Sequence, residues 1–394
     1  MKHRTYWIEK VEQAWSSKSV VWLSGVRRVG KTVLCQSLDD VEYFDCALPR
    51  VRRLLADPEA FLEGLRGKRI VLDEVQRLDA PSEALKIAAD HYPDVRIVAT
   101  GSSTLQASTR FRDTLTGRKA ELWLTPMMSV DLVDFADAGG EPSVVGGGAP
   151  QADLRHRLRH GGLPPFFLRR DPLQREYEEW MDSYWARDIQ ELFRLERRWG
   201  FRRFLELLLA QSGGMFEAAK FAAPCEISRT TVANYLEVLE ATRVVHVLRP
   251  FSTHPATEIV SAPKVYGFDT GFVCHQRGWT DLRPENLGDL WEHYILNEIH
   301  AHTQSPRLHY WRDKRGHEVD FVLAWPGLAS VAIECKWSAN GFDPQNLRSF
   351  RYRYPEGENW IVAADVTRPF RSTEDGLPLE FLGLETLAAR ISDL

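Results

Sequence analysis

The sequence predicts an α/β chain built in three parts: a parallel-sheet domain at the N-terminus, a helical and winged-helix middle, and a second α/β domain at the C-terminus. Three observations carry this. A complete phosphate-loop motif, G-x-x-x-x-G-K-[ST], lies between an apolar strand and a helix at 25–32. Strand and helix patterns alternate from Val20 to Leu124, the signature of parallel βα units. Between 308 and 337, short strand-like runs carry Asp320 and the pattern Glu334-x-Lys336. Composition shifts and linker-like stretches suggest boundaries at 1–138, 139–212, 213–252 and 253–394.

The first element is an amphipathic helix from Arg4 to Trp15. Val20 to Leu23 is a short apolar, β-branched strand. Gly25 and Gly30 then let the backbone curl so that successive N–H groups face an anion. Val29, Gly30, Lys31, Thr32 and Val33 complete the expected nucleotide-binding segment. Lys31 supplies a point charge for the outer phosphates, the helix that follows adds its positive end, and the Thr32 hydroxyl is suited to Mg²⁺. Lys68 to Glu74 is a strand ending in two acids. Asp73 can hold Mg²⁺ through water, and Glu74 can orient and deprotonate an attacking water. Val95 to Thr100 is a further strand, and Ser102 or Ser103 just beyond it is the candidate for contact with the terminal phosphate. Arg118 precedes the strand Ala120–Leu124 and can reach a phosphate in its own subunit or in a neighbour.

The 394 residues suffice for two or three cores. A net charge of −5 gives no global pull toward nucleic acid or membrane, so any polyanion site has to be a local patch. The five cysteines are scattered and contain no C-x-x-C, which reads as reduced thiols in a cytoplasmic protein. The N-terminus lacks the apolar core of a signal peptide, and no apolar run is long enough to span a bilayer.

Gly139–Ala149 reads as a flexible connection, and 154–203 as helices crowded with arginine, most of them on solvated faces. Arg197, Arg198, Arg202 and Arg203 form the best candidate for a phosphate-facing patch. Met215–Ala223, a turn at 224–227 and a helix capped by Ser228 give a helix-turn-helix rhythm, with Val244–Leu248 as a wing strand. Its second helix brings only Arg229 as a cation, little for reading a major groove, so structural or subunit docking is an equal reading. Thr253–Pro263 is a linker.

In the last domain, Leu287–His302 is a strong helix carrying Glu292. Strands at 308–312, 317–323 and 331–337 follow, then a helix from Asp343 to Tyr352 carrying Gln345. Carboxylates at Asp320 and Glu334 on neighbouring strands, with Glu292 as a third, can hold one or two Mg²⁺ ions; Lys336 points the same way as Glu334. A salt-bridged strand pair is the competing structural reading.

Taken together, these residues resemble the AAA+ ATPases that carry a helical and winged-helix middle and a PD-(D/E)xK, restriction-endonuclease-like C-terminal domain, a region formerly labelled only as of unknown function. The resemblance rests on 25–32, Leu72–Glu74, Thr100–Ser103, Gly117–Arg118, Gly161–Pro164, Arg187–Ile189, Glu318–Phe321 and Ile333–Lys336. It implies ATP and Mg²⁺ as cofactors, with Lys31, Thr32, Asp73 and Glu74 in ATP hydrolysis and Asp320, Glu334 and Lys336 at a nuclease site. It also implies DNA as a partner and a homo-oligomeric ring, a hexamer being common among AAA+ proteins, with Arg118 or Arg187 acting across subunits. A nucleotide-switched binding module with a non-cleaving nuclease fold is the alternative. An ATP-driven protein remodeller is a third reading, weakened by the lack of an exposed aromatic pair in a pore loop.

Overall fold

The computed structural model describes residues 3–101, 115–136, 150–169, 174–190, 197–252, 262–305 and 307–392. They fall into two compact units. The first takes 1–153, 162–202 and 233–244; the second takes 154–161, 203–232 and 245–394.

The first unit is organised on a five-stranded sheet of β1 (Val20–Ser24), β2 (Val41–Asp45), β3 (Arg69–Asp73), β4 (Arg96–Thr100) and β5 (Lys119–Trp123). Its spatial order is β2-β3-β4-β1-β5, and every pair is parallel. β1 is buried at every residue, as a strand covered on both faces has to be. Val20, Trp22, Ile70, Leu72, Ile97 and Ala99 share one core with Leu85 and Ala88 of the helix Pro81–His91. β1, β3 and β4 all run toward the same edge, which brings Gly25, Asp73 and Thr100 to one end of the sheet.

The N-terminal helix, Thr5–Ser17, is fixed at its start by Arg4. The Arg4 guanidinium clasps Asp131 through Nε (2.9 Å) and NH2 (2.5 Å), and NH1 donates to the carbonyls of Thr125 (2.9 Å) and Val29 (3.3 Å). Arg4 is 4% exposed and Asp131 fully buried. The fork geometry satisfies both carboxylate oxygens, the condition for burying such a pair without a large penalty.

The second unit is built on a nine-stranded mixed sheet ordered β13-β14-β12-β11-β10-β9-β7-β8-β6. The strands are β6 (Gly214–Met215), β7 (Val245–Pro250), β8 (Lys264–Gly267), β9 (Leu308–Arg312), β10 (Glu318–Leu323), β11 (Val331–Lys336), β12 (Asn359–Ala363), β13 (Phe370–Glu374) and β14 (Leu377–Leu382). β6 and β7, from the expected winged-helix region 213–252, belong to the same sheet as the C-terminal strands, because both pair with β8 and β7 pairs in parallel with β9. The helix Pro284–Thr303 buries Leu287, Leu290, Trp291, Tyr294, Ile295 and Ile299 against the sheet. Trp291 donates to the Val362 carbonyl at 2.9 Å, so its burial leaves no orphan donor.

Three local expectations need correction. Met215 lies in a strand paired with Lys264, and the first helix of the helix-turn-helix stretch is only Ala218–Ala222; the Phe216 N–H is spent on the Pro263 carbonyl. Strict alternation from 317 to 323, which would set Asp320 and Val322 together on the face opposite Phe321, is broken in β10 by a bulge against β9 between Val319 and Val322. Both valines enter one core while Phe321 and Leu323 enter the other. Arg157, from the arginine-rich stretch, is fully buried beside Asp269 and over the Tyr294 ring, not on a solvated face.

Arg4→Ala leaves Asp131 charged and uncompensated. It should destabilise the first unit by about 3 kcal/mol, read as a lower thermal midpoint. Replacing both partners by apolar residues should recover much of that loss.

Candidate functional site

The sheet end in the first unit forms the principal site, a cavity of about 360 Å³ lined by Gly25, Arg27 to Val33, Glu74, Gln76, Arg77, Pro164, Pro165 and Asp188. Gly30 has φ +104° immediately before the helix Lys31–Gln36, a conformation that only glycine adopts without strain. A Cβ on Gly25 would lie 2.6 Å from the Leu124 carbonyl oxygen, so here the constraint is space.

Four of the loop's carbonyls, those of Gly25, Val26, Arg27 and Val29, are held by side-chain donors. Lys31 Nζ donates to the carbonyls of Gly25 (2.7 Å) and Val26 (3.3 Å). Trp180 Nε1 donates to Arg27 O at 3.0 Å, and Arg4 reaches Val29 O. With its carbonyls committed, the loop presents N–H groups to an anion. Burial lowers the Lys31 pKa, opposed by Glu74, Asp188 and Asp73. An incoming polyphosphate would favour the charged ammonium further.

Asp73 is the joint of the site. Thr32 Oγ1 donates to Asp73 Oδ2 at 2.9 Å, Tyr43 OH donates to the same oxygen, and Thr100 Oγ1 donates to Oδ1. The two residues expected to hold Mg²⁺, Thr32 and Asp73, are therefore within hydrogen-bond distance, a donor set that fits a hard oxygen-seeking ion. Glu74 sits in the left-handed region at φ +58°. Its N–H donates to Thr100 Oγ1 at 3.1 Å, and Gln76 Nε2 donates to its Oε2 at 2.6 Å. Strain held in place by neighbours in this way clusters at functional sites.

Several residues here were not expected from sequence. Thr100 takes the strand-end place next to the expected Ser102 and Ser103, which lie outside the described residues. Arg27 Nε pairs with Asp188 Oδ2 at 3.2 Å; Asp188 stands on a π-helical turn, Trp185–Ile189, a distortion common at functional sites. Arg118 does not line the cavity and donates to Asp90 at 2.7 Å. The Arg187 side chain lies outside the described residues. Of the proposed arginine patch, Arg198 and Arg202 both pair with Asp182, and Arg203 donates to the Pro224 carbonyl. Val33 lines both the phosphate cavity and an adjoining apolar pocket of about 180 Å³ with Leu34, Phe135, Pro164 and Leu168.

Residues 17–132 match the family described as an AAA domain. This match covers the phosphate loop and the acidic end of β3, and it supports an ATPase of the AAA+ type in that segment. Residues 151–283 and 287–382 match two further families, each described as a domain of unknown function. The chain is 29% identical over 352 residues to an uncharacterised protein of Mycobacterium bovis and equally to one of Mycobacterium tuberculosis, covering 86% of this chain and 75% of each relative. Among solved structures it is similar to a Walker-type ATPase of Pyrococcus abyssi (17% identity, TM-score 0.46, 70% of this chain and 96% of that one). It is also similar to a chain of the Thermococcus gammatolerans McrB AAA+ hexamers with bound McrC (11% identity, TM-score 0.22, 48% and 51% covered). At these TM-scores neither likeness bears on function. No helix among the described residues is long and apolar enough to cross a membrane.

A second cluster lies in the second unit. β10 pairs antiparallel with β11, Phe321 opposite Ile333, so that Asp320 and Glu334 each directly adjoin that pair, and the β10 bulge against β9 lies between Val319 and Val322. Bulges commonly re-aim a side chain in this way. Cys335 N donates to Asp320 Oδ2 and Lys336 Nζ to Glu334 Oε2, both at 2.7 Å. Glu334 is 1% exposed, and its Oε1 has no partner. Burial raises the Asp320 pKa well above the carboxylate range, with Glu292 and Glu334 adding repulsion. Burial also raises that of Glu334, opposed by Lys336. Mg²⁺ is commonly held by one or two carboxylates with water completing its shell, so this pair fits such an ion. Glu292 Oε1 instead accepts from Lys264 Nζ at 3.1 Å and from Tyr266 OH. Among the described residues no three His, Cys, Asp or Glu side chains are arranged to hold a metal. Gln345 Nε2 lies 3.4 Å from His317 Nε2, on an exposed surface.

Lys31→Ala should abolish nucleotide binding, read by fluorescent-nucleotide titration. Glu74→Gln should retain binding and lower turnover by about 100-fold or more. Equal turnover in wild type and Glu74→Gln would remove Glu74 from its role.

Proposed function

We propose that ATP binding and hydrolysis in the first unit drive or gate a Mg²⁺-dependent endonuclease site of PD-(D/E)xK type in the second, acting on DNA. The observation that carries this reading is the cluster of Asp320, which accepts from Cys335 N, and Glu334, which accepts from Lys336, with Glu334 Oε1 buried and unpartnered. Two buried carboxylates side by side at neutral pH are costly unless a cation joins them. Bound Mg²⁺ would supply an activated water and charge neutralisation at a phosphodiester. Asp320 and Glu334 would hold the ion. Lys336, anchored on Glu334, would stand beside the phosphate and stabilise its added negative charge.

In the first unit, the loop N–H groups and Lys31 bind the phosphates, Thr32 and Asp73 hold Mg²⁺, and Glu74 accepts the proton of the attacking water. A cytoplasmic homo-oligomer, a hexameric ring in its simplest form, belongs to the same reading. Arg118 or Arg187 would then meet the nucleotide of a neighbouring subunit. For Arg118 this requires release from Asp90.

The second reading is a nucleotide-switched module that binds DNA or protein without cutting. The occupation of Glu292 by Lys264 and Tyr266 favours it, because one expected metal carboxylate is already engaged.

Purified protein incubated with single-stranded, duplex and branched DNA, with and without Mg²⁺ or Mn²⁺ and ATP, separates the two. Asp320→Ala and Glu334→Ala should each abolish cleavage while ATP turnover stays near wild type. Cutting that persists in Asp320→Ala excludes this site, and a wild type that cuts no DNA or RNA supports the binding module. Light scattering should show a larger species with ATP than without; a monomer with full ATPase activity in both conditions excludes the ring.

A further inference from the structure

We propose that Lys264 is a built-in counter-cation that keeps Glu292 out of the metal-ligand set, so that divalent-ion affinity in the second unit is governed by this lysine. The inference rests on the reading of Asp320 and Glu334 as metal-holding carboxylates and goes beyond it, because it concerns a residue from outside that motif.

Lys264 opens β8. Its side chain is 6% exposed, and Nζ donates to Glu292 Oε1 at 3.1 Å and Glu318 Oε1 at 2.5 Å. The ammonium lies 5.7 Å from the Tyr266 ring centroid and 5.9 Å from that of Tyr310, within cation–π range of both. Lys264 is thus a fixed positive charge in an enclosed site.

Carboxylates outnumber the cations gathered on them: Glu292, Glu318, Asp320 and Glu334 meet Lys264, Lys336 and Arg312, whose NH1 lies 3.6 Å from Glu318 Oε2. Glu334 Oε1 is the buried, unpartnered atom in this cluster. Glu292 is the natural third ligand, yet its Oε1 already accepts from Lys264 and Tyr266. The site is therefore a weak two-carboxylate one while Lys264 is in place, and a stronger three-carboxylate one if Lys264 withdraws. Lys264 is positioned by the backbone pairing of β8 with Leu248 of β7 and Met215 of β6, not by the strands that bear Asp320 and Glu334. Ion affinity in the C-terminal sheet thereby depends on the hairpin beside it.

The test is Mn²⁺ titration calorimetry on the full chain without nucleotide, with the heat lost in Glu334→Gln defining this site. Lys264→Met should bind Mn²⁺ about tenfold more tightly than wild type. Glu292→Gln alone should change affinity by less than about threefold, but in the Lys264→Met background it should cost about tenfold; that non-additivity is the signature of ligand recruitment rather than of simple charge removal. If Lys264→Met fails to fold, Glu292→Gln alone decides. A loss as large as that of Glu334→Gln means Glu292 already ligates and overturns the inference. Unchanged or weaker binding in Lys264→Met overturns it too. If neither wild type nor Lys264→Met shows any Glu334-dependent heat, the metal reading itself fails, and the inference with it.

Discussion

A loop that is to grip phosphate must turn its carbonyl oxygens away from the anion, and the nucleotide site of this protein depends on that one requirement. Each outward carbonyl needs a donor, and the donors come from far apart in the chain: Lys31 for Gly25 and Val26, Trp180 for Arg27, Arg4 for Val29. The N-terminal helix, the loop and the helix Gln174–Tyr184 are thus tied to one another through peptide oxygens. The Arg4–Asp131 pair is costly to bury, and its return is a loop whose N–H groups are oriented before any nucleotide arrives, so that little reorganisation is left to do on binding.

Asp73 performs the equivalent task for the neighbouring strand ends. Hydroxyls from Tyr43 on β2, Thr32 after the loop and Thr100 on β4 converge on one carboxylate. Thr100 also accepts from the Glu74 N–H, so Asp73 and Glu74 share a support. Parallel pairing makes this possible, because neighbouring strands end at the same edge and short polar side chains can meet there.

What sequence made legible was local. Gly25 to Thr32, Asp73 with Glu74, and Glu334-x-Lys336 are fixed spacings within one element, and each keeps its geometry in the fold. The helices with strong apolar periodicity, Thr5–Ser17 and Pro284–Thr303, were legible for the same reason. What stayed hidden depends on pairing across long separations. Arg27 meets Asp188 across 161 residues, and Lys264 meets Glu318 across 54. Neither lysine, arginine nor aspartate is unusual enough in type to announce a partner at such distance. Nothing in the sequence sets Arg157 apart from the arginines around it, most of which read as solvated; only the fold brings Asp269 and Tyr294 to it. The β10 bulge has no glycine to mark it, which is why strict alternation was expected there.

The pairing of β7 with β9 has a consequence for how the chain can be taken apart. A cut anywhere between 252 and 262 looks natural on composition, yet it separates β8 from β7, its hydrogen-bonded neighbour. A fragment starting beyond the cut would leave one flank of β9 bare, with peptide groups unsatisfied and available to other chains. It would also strip Phe251 from Phe350 and Tyr354, exposing aromatic surface. Such a piece would be prone to stick to copies of itself, and its behaviour in isolation would report that new edge rather than the native molecule. Shuffling of these segments between proteins faces the same barrier, so the hairpin and the sheet it extends are constrained to vary together.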